Sequence, residues 1–282
     1  MNVGVRPLLP LLGLLVALSP TRARACGTCA VGDPTLTTLG SGQPATGRVR
    51  AGLVARHHRE TLRAAGGRWT LQQERYELGL VWTPSARWKL QFTLPFAYQR
   101  IGHPNLARTR RWSWGDVAAR VGTVLYRDRT LGPRHLLVGA VGAELPTTSR
   151  PRNVPDELYA GSASWDLTGG LSYLFFASPW SMLLGTRLVA PLAGLEHRPA
   201  PALQVLGGVQ WQPLRGLGGR LSAQIRHEFG AGGGSLLRLG GGVVVAPASG
   251  VVLHAQLTAP AWQTGRSRRE GFAVEIGATV DL

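Results

Sequence analysis

An all-β fold, a closed antiparallel transmembrane β-barrel of about twelve strands, is what this 282-residue sequence predicts. Three observations predict it. From residue 47 onward, apolar and polar side chains alternate with a period of two, over runs longer than the ~5–6 residues of an ordinary globular strand. All nine tryptophans stand at or beside the ends of these runs, where an amphipathic ring suits a membrane–water interface. The connections alternate between short turns rich in Pro, Gly and Ser and mostly longer loops rich in arginine. Barrels with short periplasmic turns and long outer loops show that pattern.

Residues 1–25 read as a secretory signal peptide. Arg6 gives a basic start, Leu8 to Leu18 an apolar stretch too short to span a bilayer as a helix, and Ala23-Arg24-Ala25 a small-x-small cleavage site. Its removal takes away Arg6, Arg22 and Arg24 and no acid, so the net charge falls from +16 to +13. Residues 26–46 form a short periplasmic segment, and the barrel occupies 47–282. An exported chain has little access to nucleic acid. That role would need basic residues interleaved with stacking aromatics inside a reachable groove, and location argues against it. A bacterial outer-membrane location follows from the signal and the strands together.

The strand runs are 47–58, 69–83, 88–99, 115–127, 135–148, 164–176, 181–192, 202–212, 220–229, 236–246, 251–260 and 271–282. Most have the ~9–11 residues that a tilted strand needs to cross a bilayer. Trp88 to Tyr98 is the clearest. Trp88, Leu90, Phe92, Leu94 and Phe96 share one face, Lys89, Gln91, Thr93 and Pro95 the other. Four Pro residues, Pro95, Pro146, Pro191 and Pro260, are expected to end upward strands, since Pro removes a ladder donor. A secreted two-sheet sandwich would also alternate. Strand length and tryptophan placement favour the barrel. The last run carries the alternation to residue 282, as assembly signals of outer-membrane barrels do, with Leu282 in place of the usual aromatic.

If the large apolar residues face lipid, the other face lines a lumen. Its candidates are Lys89, Asp116, Arg120, Glu144, Asp166, Arg187, Arg226, Glu228, Arg238 and Glu275, with Arg75, Glu77 and Arg220 beside them. The opposite assignment would put arginines against lipid at ~2–4 kcal/mol each near the midplane. The two signs occur in similar number, so the lining forms either a polar channel or an ion-pair network that partly plugs it. A charge introduced at Leu90 or Ile276 is therefore expected to block assembly, and one at Gln91 or Gly277 to be tolerated better. Arginines of the longer loops, among them Arg100, Arg110, Arg111, Arg150 and Arg268, suit lipopolysaccharide phosphates.

Cys26 and Cys29 are too few to staple the domain, and two thiolates do not complete a zinc site. A local disulfide is one reading, lipidation of Cys26 another. No metal or cofactor motif stands out. Catalytic residues are not expected either: His227 can face outward, but no serine two residues away joins it, and His254 turns inward.

Trp114-Gly115-Asp116-Val117, then Gly142-Ala143-Glu144-Leu145-Pro146-Thr147, then Ser164-Trp165-Asp166-Leu167 with Gly170 and Tyr173, form a succession with a known counterpart. It resembles the outer-membrane transporter family named for the meta-pathway of phenol degradation, with Thr148 where that pattern has Gly. The resemblance spans residues 112–192. It implies a barrel that passes small, often hydrophobic or aromatic, solutes and carries no catalytic residues. The expected function is thus a channel or transporter for small solutes. The alternative is a non-conducting structural barrel, or one that binds lipopolysaccharide or a partner. Expected partners are outer-membrane lipid, lipopolysaccharide, the barrel assembly machinery and the solute.

Overall fold

The structure, a computed structural model, describes residues 46–282 apart from 65–66, 105–107, 129–133, 149–153, 155–157, 195–199, 215, 231–232 and 266–267. The signal peptide and the Cys26/Cys29 pair lie outside the described residues, as do Arg150 and Arg152.

Alternation that buries one face and exposes the other yields strands throughout. They are β1 Val49–Ala64, β2 Gly67–Trp82, β3 Trp88–Gly102, β4 Thr109–Trp114, β5 Val117–Arg127, β6 His135–Leu145, β7 Ser164–Ala177, β8 Trp180–Gly194, β9 Ala202–Leu214, β10 Leu217–Glu228, β11 Ser235–Ala248, β12 Val251–Gln263 and β13 Arg268–Asp281. The ladders follow chain order, and β1 pairs with β13 to close the sheet. β4 and β5 both pair with β3, along Phe96–Ile101 and Trp88–Thr93 respectively. They are the two parts of one strand interrupted at Gly115-Asp116, so the barrel has twelve staves, as the sequence predicts. Closure removes the sheet edges that a bilayer would otherwise leave unpaired.

The faces are as unlike as the alternation requires. Val141 and Leu221 are 67% and 70% exposed, whereas Gln73 and Gln99 are 0% exposed. Eight of the nine tryptophans are exposed on the outer wall. Trp69, expected at the membrane–water interface with the others, instead packs against the interior cluster Leu62, Leu71, Ile101 and Leu158. It shares the parity of Leu71 and Gln73, which point inward.

Two kinds of boundary differ from expectation for a physical reason. Residues 109–114 read as a charged loop because Arg108, Arg110 and Arg111 hide a short alternation, yet they pair with β3. Pro95, Pro191 and Pro260 do not end their strands; β3, β8 and β12 run on to Gly102, Gly194 and Gln263. Each faces an irregularity in a neighbour instead. Pro95 stands where β4 gives way to β5 and accepts from Gly115 N at 2.9 Å. Pro191 and Pro260 pair with Asp166 and Arg238, where the registers shift. A residue without an N–H is tolerated where the ladder is already broken.

Candidate functional site in the barrel interior

The interior divides along the axis. One end carries the longer connections; the other carries the short turns.

At the long-loop end, Leu158, Tyr159 and Ala160 of the connection between β6 and β7 are buried inside. Leu158 completes the apolar cluster with Leu62, Leu71 and Ile101. Burial of a leucine of this kind stabilises by ~1.5–3 kcal/mol. Inward-facing polar residues bind the loop backbone. Gln99 Nε2 donates to Leu158 O at 2.9 Å. Arg75 Nη1 donates to Ala160 O at 2.7 Å, while its Nε is held by Glu77 at 2.6 Å. Arg111 also turns inward, against its expected role in an outer loop. It donates to Gln99 Oε1 at 2.9 Å and stands 6.0 Å over the Tyr159 ring.

Asp116, at the break between β4 and β5, anchors the returning end of the loop. Its Oδ1 accepts from Thr148 N at 3.1 Å. Its Oδ2 accepts from Ser162 N, from Ser162 Oγ at 2.8 Å and from Ala163 N at 3.0 Å. Ala163 has φ +52°, a left-handed conformation that costs an alanine ~1–2 kcal/mol, and its bond to Asp116 helps to hold it there. Gly161 leaves room for the carboxylate: a Cβ there would come within 2.5 Å of Asp116 Oδ2. Ser164 Oγ donates to Asp166 Oδ1 at 2.5 Å and meets Ser162 Oγ at 3.0 Å. The motif residues of the resemblance, Gly115, Asp116, Pro146-Thr147 and Asp166, thus gather at one strut. Sequence reading placed Asp116 and Asp166 on the inner face but missed their loop partners; the small polar run Gly161-Ser-Ala-Ser164 was the available signal.

The other charges pair within a strand or across one or two strands. Glu144 receives both Arg187 and Arg120, the latter at 3.3 Å. Arg226 meets Glu228 at 2.7 Å, and Arg238 meets Glu270. Glu275 lies 3.5 Å from His254. A pocket of about 50 Å³ opens there beside Arg56, Arg220 and Gln256. Such pairs of opposite charge satisfy groups that lipid or a dry interior would otherwise strand.

Toward the short-turn end the interior opens into a cavity of about 110 Å³. Arg87, Trp88, Lys89, Gln91, Arg120, Val124, Val138, Ala140, Thr168, Leu174 and Arg187 are among its lining residues. On its short-turn side the same inward faces form an apolar cluster of Leu136, Leu174 and Leu183 with Val124, Val138 and Phe176.

His227 does have a serine neighbour, from the adjacent strand rather than its own: Nδ1 lies 2.9 Å from Ser235 Oγ. A nucleophile's base needs a third group to orient it. The described ring contact of His227 is Phe229, edge-on at 4.7 Å, which cannot accept its proton. Among the described residues no cluster of metal-binding side chains forms.

No known family profile matches the sequence, and no curated protein does. The fold is similar to that of an outer membrane channel from Pseudomonas putida F1, with a TM-score of 0.71 at 14% identity over 87% of this chain and 99% of that one. The CymD monoaromatic hydrocarbon channel matches with a TM-score of 0.50 at 9% identity, over 84% of this chain and 89% of that one. The β domain of the Bordetella autotransporter BrkA gives 0.51 at 13% identity, over 84% and 100%. The chain therefore has the fold of outer-membrane β-barrels, twelve staves closed around a polar interior.

Proposed function

We propose that this barrel is an outer-membrane channel for small solutes, with apolar or aromatic molecules among them. The observation that carries the reading is the interior itself. A closed wall encloses a polar, charged lining, and an open cavity of about 110 Å³ lies at the short-turn end. The resemblance of residues 112–192 to the meta-pathway transporter family supports the apolar solute class, as does the likeness of fold to a monoaromatic hydrocarbon channel. In this reading Lys89, Asp116, Arg120, Glu144, Asp166, Arg187, Arg226, Glu228, Arg238 and Glu275 line the path. The long-loop end faces outward, where exposed Arg100 and Arg110 meet lipopolysaccharide phosphates. The last strand addresses the assembly machinery. The reading contains no enzymatic step.

The infolded loop favours a second reading, a barrel closed by its own chain. Single-channel recording of the refolded mature protein in planar bilayers separates the two. Discrete, ion-selective steps are expected. Silence from protein shown by heat-modifiable gel mobility to be folded would leave the closed barrel.

A further inference from the structure

The outer wall is uneven at its long-loop end. Among the described strand residues, the exposed cations at that end stand on β13, β1, β2, β3 and β4: Arg269, Arg59, Arg63, Arg68, Arg100 and Arg110. Around the rest of the rim the wall carries Trp165, Leu192, Leu203, Phe229 and Trp262. The charge is one-sided.

The strand register sets part of it in order. Arg59 is opposite Gln72, Gln72 opposite Arg100, and Arg100 opposite Arg110. Four hydrogen-bond donors thus form one row across β1 to β4, about 14 Å long at the usual strand spacing. The next row toward the membrane is His57, Glu74, Tyr98 and Trp112, and the one after it holds Tyr76, Phe96 and Trp114. The rings lie against one another. Tyr98–Trp112 and Tyr76–Phe96 centroids are 5.0 Å apart, and Phe96–Trp114 centroids 5.9 Å. Arg100 stands 5.3 Å over the Tyr98 ring. Like charges directly opposite each other destabilise a ladder, and Arg100 and Arg110 are such a pair. One carboxylate, Glu74, lies in the row beneath, so the face keeps a net positive charge. An anion seated along the row would relieve the repulsion.

We propose that the outer face of β1–β4 is a binding site for one lipid A molecule, the row of Arg59, Gln72, Arg100 and Arg110 receiving its phosphorylated disaccharide and the aromatic rows beneath receiving its acyl chains. The inference rests on the outward placement of the long-loop end in the channel reading, and it narrows the lipopolysaccharide contact to one face. Guanidinium forks match phosphate oxygens. A row of this length, with cations at both ends, suits a disaccharide that bears a phosphate at each end. A glycerophospholipid has one phosphate and fills only part of it. A second copy of this chain, docked about a two-fold axis, would set arginine against arginine. The aromatic rows mark the level of the membrane–water interface, so the row above them stands at the height of a lipid headgroup.

The test is native mass spectrometry of the folded, lipid-stripped mature protein in detergent, titrated with bisphosphoryl lipid A, its monophosphoryl form and phosphatidylglycerol. One bisphosphoryl lipid A per barrel is expected to be held more tightly than either other lipid. Arg100→Gln, inside the row, is expected to weaken it about tenfold, the change that loss of one charge-assisted hydrogen bond brings. Arg127→Gln removes the same charge from the short-turn end of β5 and should leave the affinity in place. Gel mobility confirms folding of each variant. Phosphatidylglycerol or the monophosphoryl form binding as tightly would overturn the proposal, and both comparisons use the parent protein alone. Equal weakening by Arg127→Gln would also overturn it, since net charge and not the row would then attract the lipid. So would a dimer of the stripped protein that Arg100→Gln dissociates, which would assign the face to a second copy. Because the measurement is of binding, it is independent of conductance. A conducting protein that does not hold lipid A defeats this inference alone, and a silent protein that holds it defeats the channel reading alone.

Discussion

In the long-loop half of the barrel, the interior is occupied by chain. Leu158 to Ala163 enter the lumen, and Asp116, Arg75 and Gln99 bind their backbone. In the short-turn half, the same staves carry inward side chains alone, and a cavity remains. The difference follows from how polar groups are satisfied. Backbone brought inside a barrel exposes N–H and C=O groups that need partners. The long-loop half supplies them from fixed side chains, so the space closes. Among the described residues the short-turn half brings no loop backbone inward, and side chains alone fill it: charges around the cavity, and the buried Leu136, Leu174 and Leu183 beside it. Backbone restricts the first half and side chains shape the second.

Releasing the closed half is expected to have the largest effect. Asp116→Ala removes acceptors from Thr148, Ser162 and Ala163, bonds to a charged group worth ~1.5–3 kcal/mol each. The loop then leaves the lumen, single-channel conductance rises several-fold, and the loop becomes open to protease. Unchanged conductance would place the restriction elsewhere. Gly161→Ala should act in the same direction but less, since its methyl crowds Thr148 Oγ1 and Asp116 Oδ2 without removing the carboxylate. Recordings of the two variants side by side give the order. In the open half, Leu136→Ala is expected to cost ~2–5 kcal/mol and to lower the thermal midpoint in detergent. Leu136 faces the lumen in its cluster with Leu174 and Leu183, so single-channel conductance should rise as well. Unchanged conductance there would mean that the apolar cluster does not shape the path.

The smallest effect comes from a glycine pair. Gly277 has the parity of the inner face, where a substitution is expected to be tolerated better than at Ile276. A Cβ there would lie 2.3 Å from His254 Cε1, whereas one at Gly207 meets nothing within 4 Å. Gly277→Ala should therefore lower the unfolding midpoint measurably, and Gly207→Ala should leave it in place.

Which face of each strand points inward was legible because it depends only on period and on the cost of charge in lipid. Gln73, Arg75, Glu77 and Glu144 are buried for that reason. The infolding of the loop was not legible. Arg75 and Ala160 are 85 residues apart, and nothing in the local pattern around Leu158 and Tyr159 marks it as interior chain. The short strand β4 was hidden for a different reason: three arginines in seven residues outweigh the alternation of a six-residue strand. The prolines carried a true signal, read too simply. They mark broken ladders, and strand ends are only one place where ladders break.

The pairing of β1 with β13 has a consequence for how such a chain comes to exist. Its ladder joins residues far apart in sequence, up to the 231 positions between the partners of the Arg50–Asp281 clasp at its foot. Contacts of that span close a very large loop and arrive late. Until they form, every partial sheet has two bare edges, which hydrocarbon does not tolerate. Synthesis must therefore be finished before insertion can be, and a chain truncated within β13 has no smaller barrel to settle into. The first strand to leave the ribosome waits for the last, and whatever shelters it in the meantime is as much a condition of the fold as the sequence.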